Sequence, residues 1–257
     1  MKIALITGGS RGIGLAIARK LAKDGFRCIL VARDSDRLEQ AAQLIEQESG
    51  QASITLPCDI RDENQVTAAV SQVADTVGII HVLVNCAGRA GGGITSEISS
   101  ELWRDVMATN LDSVFFVTRS ILSRKMMPSG GRIINIASTG GKQGVVHGAP
   151  YSASKHGVIG LTKAWGLELA KNGSGITVNA ICPGFVATEM AQKVISNYAG
   201  LWGISENLAK QRIEERIPLG RYIEPEEVAA MVAYLASENA GGVTAQALNI
   251  CGGLGSY

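Results

Sequence analysis

The sequence predicts a single doubly wound α/β domain, in which helices cover both faces of a seven-stranded parallel sheet. Continuous apolar runs alternate with longer helical patterns from the first residues onward, as expected for strands that are buried on both faces. Glycines stand at the ends of these runs, where tight strand-to-helix turns need them. No internal repeat, linker or low-complexity tract interrupts the 257 residues, so one domain over 1–257 is expected.

Seven apolar segments are the candidate strands, at residues 2–6, 28–32, 53–57, 81–85, 132–137, 176–181 and 247–250. The first helical pattern reaches Lys23, and the second reaches about Glu48. Each is followed closely by a glycine, which is a helix stop signal. The more polar stretch 186–220 interrupts the alternation before the last strand. A long insert after a strand's carboxyl end is a candidate substrate lid, and an ordinary pair of surface helices is the alternative.

Composition and charge argue against several other classes of protein. The net charge of +1 gives no sign of a nucleic-acid or membrane surface, and no apolar stretch approaches a membrane span. The N-terminal apolar run is too short for a signal peptide, so a cytoplasmic protein is expected. No metal site is expected, because the three histidines are scattered and the cysteines lack CxxC spacing. The five cysteines are Cys28, Cys58, Cys86, Cys182 and Cys251.

A glycine-rich segment, TGGSRGIG at 7–14, follows the first strand and opens the first helix. Gly8, Gly12 and Gly14 allow the backbone to turn tightly and to approach a pyrophosphate, which the helix N-terminus attracts. The spacing differs from the common G-x-G-x-x-G fingerprint, and a glycine triplet by itself is often only a turn. Its place between a strand and a helix nevertheless predicts a dinucleotide site.

The end of the second strand indicates which dinucleotide binds. An acidic residue there suits the ribose 2′-hydroxyl of NADH, whereas a 2′-phosphate calls for arginine. Arg33 stands at that end and Arg11 lies in the glycine loop, and guanidinium groups bind phosphate bidentately. NADPH is therefore predicted. The alternative is that Asp34 binds a 2′-hydroxyl while Arg33 points to solvent.

Several motifs together resemble the short-chain dehydrogenase/reductase family. These motifs are TGGSRGIG, NCAG (85–88), Asn110, Ser138, YSASK (151–155) and PG (183–184), and they fall in the family's order across nearly the whole chain. Cys86 departs from the pattern, since the family more often has a second asparagine there. The resemblance implies a Rossmann-type nucleotide-binding fold.

A closer similarity is to the ketoreductases of type II aromatic polyketide pathways. It rests on STGGKQGVVH (138–147), RAGGG (89–93), CPGFV (182–186) and the closing VTAQALNICGGLGSY (243–257). Those enzymes usually carry proline where this chain has Ala90. In those enzymes the tripeptide formed by this proline and the two glycines after it is thought to help set stereochemistry. Here the tripeptide is Ala90-Gly91-Gly92, so the handedness of the product stays open.

Tyr151 and Lys155 lie one turn apart on one face of a predicted helix. A ketone that accepts hydride at carbon develops negative charge on oxygen and needs a proton there. A tyrosine hydroxyl can supply it, and a nearby lysine ammonium is expected to lower its pKa from about 10. Ser138, at a strand's carboxyl end, is placed to hydrogen bond the substrate oxygen. Asn110 completes the catalytic set by resemblance.

The resemblance also implies the other site residues. Cofactor-binding residues would be Thr7, Gly8, Ser10, Arg11, Gly12, Ile13, Gly14, Arg33, Asp59, Ile60, Asn85, Ala87, Gly88, Tyr151, Lys155, Pro183, Gly184, Val186 and Thr188. Substrate-binding residues would be Ala90, Gly91, Gly92, Gln143, Val145 and Met190, with the apolar ones open to an alternative role in the core or in tetramer contacts.

The implied function is an NADPH-dependent ketoreductase acting on a polyketide that an acyl carrier protein delivers, in a homotetramer. A 3-oxoacyl-[acyl-carrier-protein] reductase is the alternative enzyme. A dinucleotide sensor is the alternative class, and intact Ser138, Tyr151 and Lys155 argue against it. Arg89, with help from Arg61, is a candidate carrier contact, and a local ion pair is the alternative. Chain length, the ketone reduced and stereochemistry stay open.

Overall fold

The computed structural model describes residues 1–255, so the last two residues of the closing motif, Ser256 and Tyr257, lie outside the described residues. Seven strands form one parallel sheet in the order β3-β2-β1-β4-β5-β6-β7. The strands are β1 (Lys2–Thr7), β2 (Phe26–Ala32), β3 (Ile54–Pro57), β4 (Val82–Asn85), β5 (Arg132–Ile136), β6 (Thr177–Pro183) and β7 (Ala247–Ile250). The predicted fold class is confirmed, and each strand lies at its predicted position.

Helices separate successive strands of the described chain. They are α1 (Gly12–Lys23), α2 (Ser35–Ser49), α3 (Glu63–Thr76), α4 (Ser100–Met107), α5 (Ser113–Ser123), α6 (Ala149–Lys171), α7 (Glu189–Trp202), α8 (Glu206–Glu214) and α9 (Pro225–Ala236). The first helix ends at Lys23 as predicted, and Gly50 stops the second with a φ of 69°. A single π-helical turn, Ala108–Asp112, joins α4 to α5.

Each face of the sheet has its own apolar core, because successive strand side chains point to opposite faces. Ile6 and Leu30 lie in the core covered by α1, α2 and α9. Leu5 and Ile29, their neighbours along the strands, lie in the core covered by α3 and α5. These four side chains are at most 1% exposed, and full burial of each contributes about 1.5–3 kcal/mol.

The predicted insert 186–220 contains α7 and α8. These helices pack on each other around a small cluster of their own, formed by Ile195, Ala199, Ala209, Ile213 and Tyr222. Val186 and Ile223 pair in an isolated parallel bridge, so the two ends of the insert lie side by side. The segment is therefore a helical hairpin whose two ends are adjacent.

The strand order reverses direction between β1 and β4. Ligands bind at such a switch point, in the crevice outside the carboxyl ends of the strands. The glycine loop follows β1 and the NCAG segment follows β4, so two of the predicted motifs border this crevice.

Within residues 1–255, no group of three or more His, Cys, Asp or Glu side chains could hold a metal ion. A search of the same residues finds no helix that combines the length and the apolar character needed to cross a membrane. The five cysteines are free thiols, and all but the partly exposed Cys86 are buried.

Candidate active site

The Thr7 hydroxyl holds the two walls of the crevice together. Its Oγ1 accepts hydrogen bonds from the backbone N–H groups of Cys86 (3.0 Å) and Ala87 (3.1 Å). Thr7 is itself buried at the end of β1. The structure thus places this predicted cofactor residue in a positioning role between the glycine loop and the NCAG segment. Burial raises the pKa of the Cys86 thiol to about 12, so Cys86 is a neutral packing group here.

Asn85, another predicted cofactor residue, directs its side chain into the protein. Its Nδ2 donates to Asn135 Oδ1 at 2.8 Å and to Thr118 Oγ1 at 3.1 Å. The network continues from Asn135 Nδ2 to Thr162 Oγ1 at 2.9 Å. The side chain of Asn85 therefore braces β4 against β5 and α5, and only its backbone borders the crevice.

The glycine loop fits a dinucleotide pyrophosphate. A Cβ at Gly14 would lie 2.2 Å from the carbonyl oxygen of Gly8, and Gly12 has a φ of 53°, which favours glycine. Helix α1 has no acidic residue in its first turn, and Arg11 at its N-cap makes no side-chain cap hydrogen bond. The N–H groups of a first helical turn have no intrahelical partner, so this end of α1 suits an anion. A Cβ at Gly12 would lie 3.5 Å from Thr188 Cγ2, which places Thr188 over the loop.

The side chains of Arg33 and Asp34 have different surroundings. Asp34 caps α2 by accepting a hydrogen bond from the backbone N–H of Arg37 at 3.1 Å, and it forms an ion pair with the Arg37 side chain at 3.6 Å. Arg33 is exposed at the end of β2. Since the Asp34 carboxylate is already engaged, the chemistry of this corner favours a 2′-phosphate over a 2′-hydroxyl.

The Asp59 carboxylate faces Arg61, with contacts of 2.5 to 3.1 Å. Hydrogen bonds from Arg61 lower the pKa of Asp59, and the charge of Arg33 adds to the effect. Arg61 also reaches Asp105 at 2.8 Å, and Asp105 forms a second ion pair with Arg89. The alternative for Arg61 and Arg89, a local ion pair, is thus present. Their contact with a carrier protein stays a prediction.

Asn110 lies fully buried in the π turn between α4 and α5, an irregularity that is frequent at functional sites. Its Oδ1 accepts from the backbone N–H of Arg89 at 2.8 Å, and its Nδ2 donates to the Arg89 carbonyl and to Ser154 Oγ, both at 3.0 Å. Asn110 therefore links the loop after β4 to helix α6. A Cβ at Gly88 would lie 3.4 Å from Asn110 Oδ1 and 3.6 Å from Lys155 Nζ, so Gly88 leaves space beside both groups.

Tyr151 and Lys155 lie on the first turns of α6, which begins beside Pro150. Lys155 is 4% exposed and its Nζ donates to the carbonyl of Ile136 at 2.8 Å. The same nitrogen is 5.9 Å from the centroid of the Tyr151 ring. Burial lowers the pKa of Lys155 to about 8.

Ser138 and Tyr151 are joined by a hydrogen bond between their side chains. Ser138 Oγ also accepts from the backbone N–H of Gly140 at 3.0 Å, which orients the serine. Burial raises the pKa of Tyr151, and the hydrogen bond with Ser138 opposes that shift. The pKa of Tyr151 therefore lies above its usual value and not below it as expected, because the penalty for burying a phenolate prevails.

Two of the segments predicted to bind substrate lie side by side. The backbone N–H of Gly93 donates to the His147 carbonyl at 2.7 Å, so the Ala90-Gly91-Gly92 loop contacts the loop that carries Gln143 and Val145. Gln143 and Met190 are exposed, and Val145 is half-buried. Below these loops, the structure brings a hydroxyl pair and a buried ammonium together, which suits proton donation to an oxygen that becomes negative.

The family model for short chain dehydrogenases matches residues 2–199. The chain belongs to the short chain dehydrogenase family. A granaticin polyketide synthase putative ketoacyl reductase from Streptomyces violaceoruber is 57% identical over 257 residues, covering 99% of this chain and 93% of that protein. A crystal structure of an actinorhodin polyketide ketoreductase variant with NADPH is 52% identical, with a TM-score of 0.93, and covers 100% of this chain and 98% of that one.

A more distant short chain dehydrogenase is the 3-oxoacyl-[acyl-carrier-protein] reductase of Aquifex aeolicus. It is 35% identical over 253 residues, covering 98% of this chain and 97% of that protein. The predicted resemblance is confirmed at the level of the family, and the ketoreductases of polyketide synthases are nearer relatives than this reductase.

Sequence reasoning missed three groups that shape this short chain dehydrogenase site. The Ile136 carbonyl that receives Lys155 is a backbone atom, and no residue type signals it. Ser154 belongs to the YSASK motif, but its hydrogen bond to Asn110 depends on the π turn. Glu189 contacts Arg11 in the glycine loop. Acidic residues are common in the first turn of a helix because they interact favourably with the helix dipole, so the sequence offered no reason to expect a second partner.

Proposed function

We propose that this protein is an NADPH-dependent ketoreductase that reduces a ketone of a carrier-protein-bound polyketide to a secondary alcohol. The observation that carries the proposal is the hydrogen-bonded pair of Ser138 and Tyr151 beside the buried Lys155 ammonium. Similarity over the full chain to ketoreductases of polyketide synthases supports this substrate class.

The chain's own residues account for the proton side of the reaction. NADPH supplies a hydride to the ketone carbon, so the ketone oxygen gains negative charge. Ser138 holds this oxygen by a hydrogen bond, and Tyr151 donates its hydroxyl proton to it. Burial keeps that hydroxyl protonated at neutral pH. The Lys155 ammonium, 5.9 Å from the ring centroid, then stabilises the phenolate that Tyr151 becomes.

Residues along the crevice are suited to hold the cofactor. The first turn of α1 would bind the pyrophosphate, and Arg33 with Arg11 would bind the 2′-phosphate. Thr188, which lies over Gly12, would bond the nicotinamide carboxamide. Lys155 would hold the nicotinamide ribose in the space that Gly88 leaves open.

Removing Arg33 tests the choice of cofactor. Arg33→Ala deletes a charge-assisted contact of about 1.5–3 kcal/mol to the 2′-phosphate. The ratio of kcat/KM for NADPH over NADH should fall roughly tenfold or more. Arg124→Ala is the matched control. This exposed arginine follows α5 and lies near the N-terminal end of β4, whereas the crevice lies at the carboxyl ends of the strands. An unchanged ratio in Arg33→Ala would show that another group makes the choice.

The substrate class is tested with three ketones. We expect NADPH consumption with the bicyclic trans-1-decalone to exceed that with an acetoacetyl thioester, because the exposed apolar side chains of Val146 and Met190 suit a bulky apolar ketone. A carrier-bound polyketide made by the cognate synthase should have the lowest KM. Faster turnover of the acetoacetyl thioester would favour the 3-oxoacyl reductase instead, and product analysis would identify the ketone and its stereochemistry.

We propose that the helical hairpin 186–220 acts as a lid over the substrate side of the crevice. Its α7 helix carries Met190, which is 39% exposed, and a stacked pair formed by Tyr198 and Trp202, whose ring centroids are 4.7 Å apart. A helical hairpin that packs around its own apolar cluster can move as a unit. These features support a role in covering an apolar substrate.

We also propose a homotetramer that works in the cytoplasm. Trp103, Phe115 and Leu167 leave 43%, 38% and 61% of their surfaces exposed on α4, α5 and α6. Large apolar side chains on neighbouring helices are typical of surfaces that pair with a second copy. Sedimentation equilibrium would measure the assembly.

A further inference from the structure

The carboxylate of Glu189 contacts two arginines from other parts of the chain. Glu189 belongs to the first turn of α7, at the start of the helical hairpin. Its Oε2 lies 2.7 Å from Arg11 Nη1 in the glycine loop and 3.4 Å from Arg37 Nη1 in α2. Hydrogen bonds from Arg37 and Arg11 lower the pKa of Glu189, so the carboxylate is ionised at neutral pH.

These ion pairs contribute little to folding. The side chains of Arg11, Arg37 and Glu189 are 54%, 45% and 60% exposed, and solvent screens ion pairs at such positions. Their consequence is the placement of charge. The Glu189 carboxylate places a negative charge beside Arg11, which is one of the two guanidiniums suited to the 2′-phosphate. Arg37 also forms an ion pair with Asp34.

We propose that Glu189 is a specificity-determining residue that competes with the 2′-phosphate of NADPH for Arg11. This inference rests on the proposed function, since it takes NADPH as the cofactor. A phosphate that binds the guanidinium of Arg11 displaces the carboxylate and then repels it. NADH carries a neutral 2′-hydroxyl and leaves the Glu189 contacts in place.

The competition couples cofactor identity to the hairpin. Glu189 is the first residue of α7 and follows Thr188, which lies over Gly12. Loss of the Arg11 contact therefore frees the first turn of α7 from the glycine loop. NADPH binding loosens this end of the hairpin, and NADH binding does not.

Binding measurements on Glu189→Gln test the competition without relying on turnover. The variant keeps the size of the side chain and removes its charge. NADPH should bind roughly threefold to fivefold more tightly than in the wild type, as an exposed ion pair allows, and the NADH Kd should change by less than twofold. The gain should shrink at high salt. Glu214→Gln is the control, because this hairpin acid pairs with Lys210 instead.

The outcomes separate this inference from the proposed function. If the wild type binds NADPH but Glu189→Gln binds it no more tightly, or tightens both cofactors equally, Glu189 does not compete with the phosphate. If the wild type does not bind NADPH, the proposed function is wrong as well.

Hydrogen exchange supplies a second measurement. Amides in the first turn of α7 should exchange faster in the NADPH complex than in the NADH complex of the wild type. In Glu189→Gln the two complexes should exchange alike. Equal exchange in the two wild-type complexes would overturn the coupling to the hairpin.

Discussion

Replacing Tyr151 by phenylalanine is expected to lower kcat by roughly 10²-fold or more while NADPH still binds. The substitution removes only the hydroxyl that hydrogen bonds with Ser138. The ring and its position at the start of α6 are retained, so the crevice keeps its shape. The ketone oxygen then has no proton donor within the site, which slows the chemical step and leaves cofactor binding intact.

The measurement is kcat for trans-1-decalone together with the Kd of NADPH. Tyr234→Phe is the matched control, because this tyrosine of α9 is 45% exposed and has no assigned role in the site. Its kcat should match that of the wild type. Retention of more than half the wild-type kcat in Tyr151→Phe would refute the assignment of Tyr151 as the proton donor.

The fold was predictable because its signals are local and repeat along the chain. The inner strands β1, β2, β4, β5 and β6 are buried on both faces, so each forms a nearly continuous apolar run in the sequence. The stop at Gly50 is likewise readable, since its φ of 69° favours glycine. The strand order is set by pairing between distant segments, and no single segment encodes it.

The site was predictable where a motif names a side chain and less so where side chains depend on their surroundings. Ser138, Tyr151 and Lys155 come together as expected. Asn85 lies in a motif, yet its amide turns inward because Asn135 offers it a partner. The Tyr151 pKa rises because burial outweighs the hydrogen bond with Ser138, and burial is a property of the packed structure.

Long-range ion pairs were the least predictable feature. Glu189 meets Arg11 from a position 178 residues away in sequence, and Asp105 meets both Arg61 and Arg89. Such contacts depend on how loops from different strands converge at one edge of the sheet. Only the strand order and the path of the hairpin determine which charges become neighbours.

Replacing Lys155 by methionine is expected to lower kcat by roughly 10²-fold, because no ammonium stabilises the Tyr151 phenolate. The same change should make stability respond to pH differently. The pKa of Lys155 is about 8 in the folded protein and has a reference value of 10.5. Between these two values the unfolded chain binds more protons than the folded chain, so this lysine makes wild-type stability rise with pH across that window.

Below about pH 8 the wild type bears the full cost of a buried charge, which Lys155→Met removes. The variant also loses the hydrogen bond to the Ile136 carbonyl, and an unpaired buried acceptor costs about 1–3 kcal/mol. The diagnostic quantity is therefore the change with pH in the stability difference between the two proteins. Urea unfolding at pH 7, 8, 9 and 10 should show the wild type gaining on the variant at each step above pH 8. A difference that stays constant from pH 7 to 10 would mean that Lys155 does not titrate in this window. In that case, a lower kcat in the variant would still show that the ammonium is needed beside Tyr151, but the lowered pKa of Lys155 would be wrong.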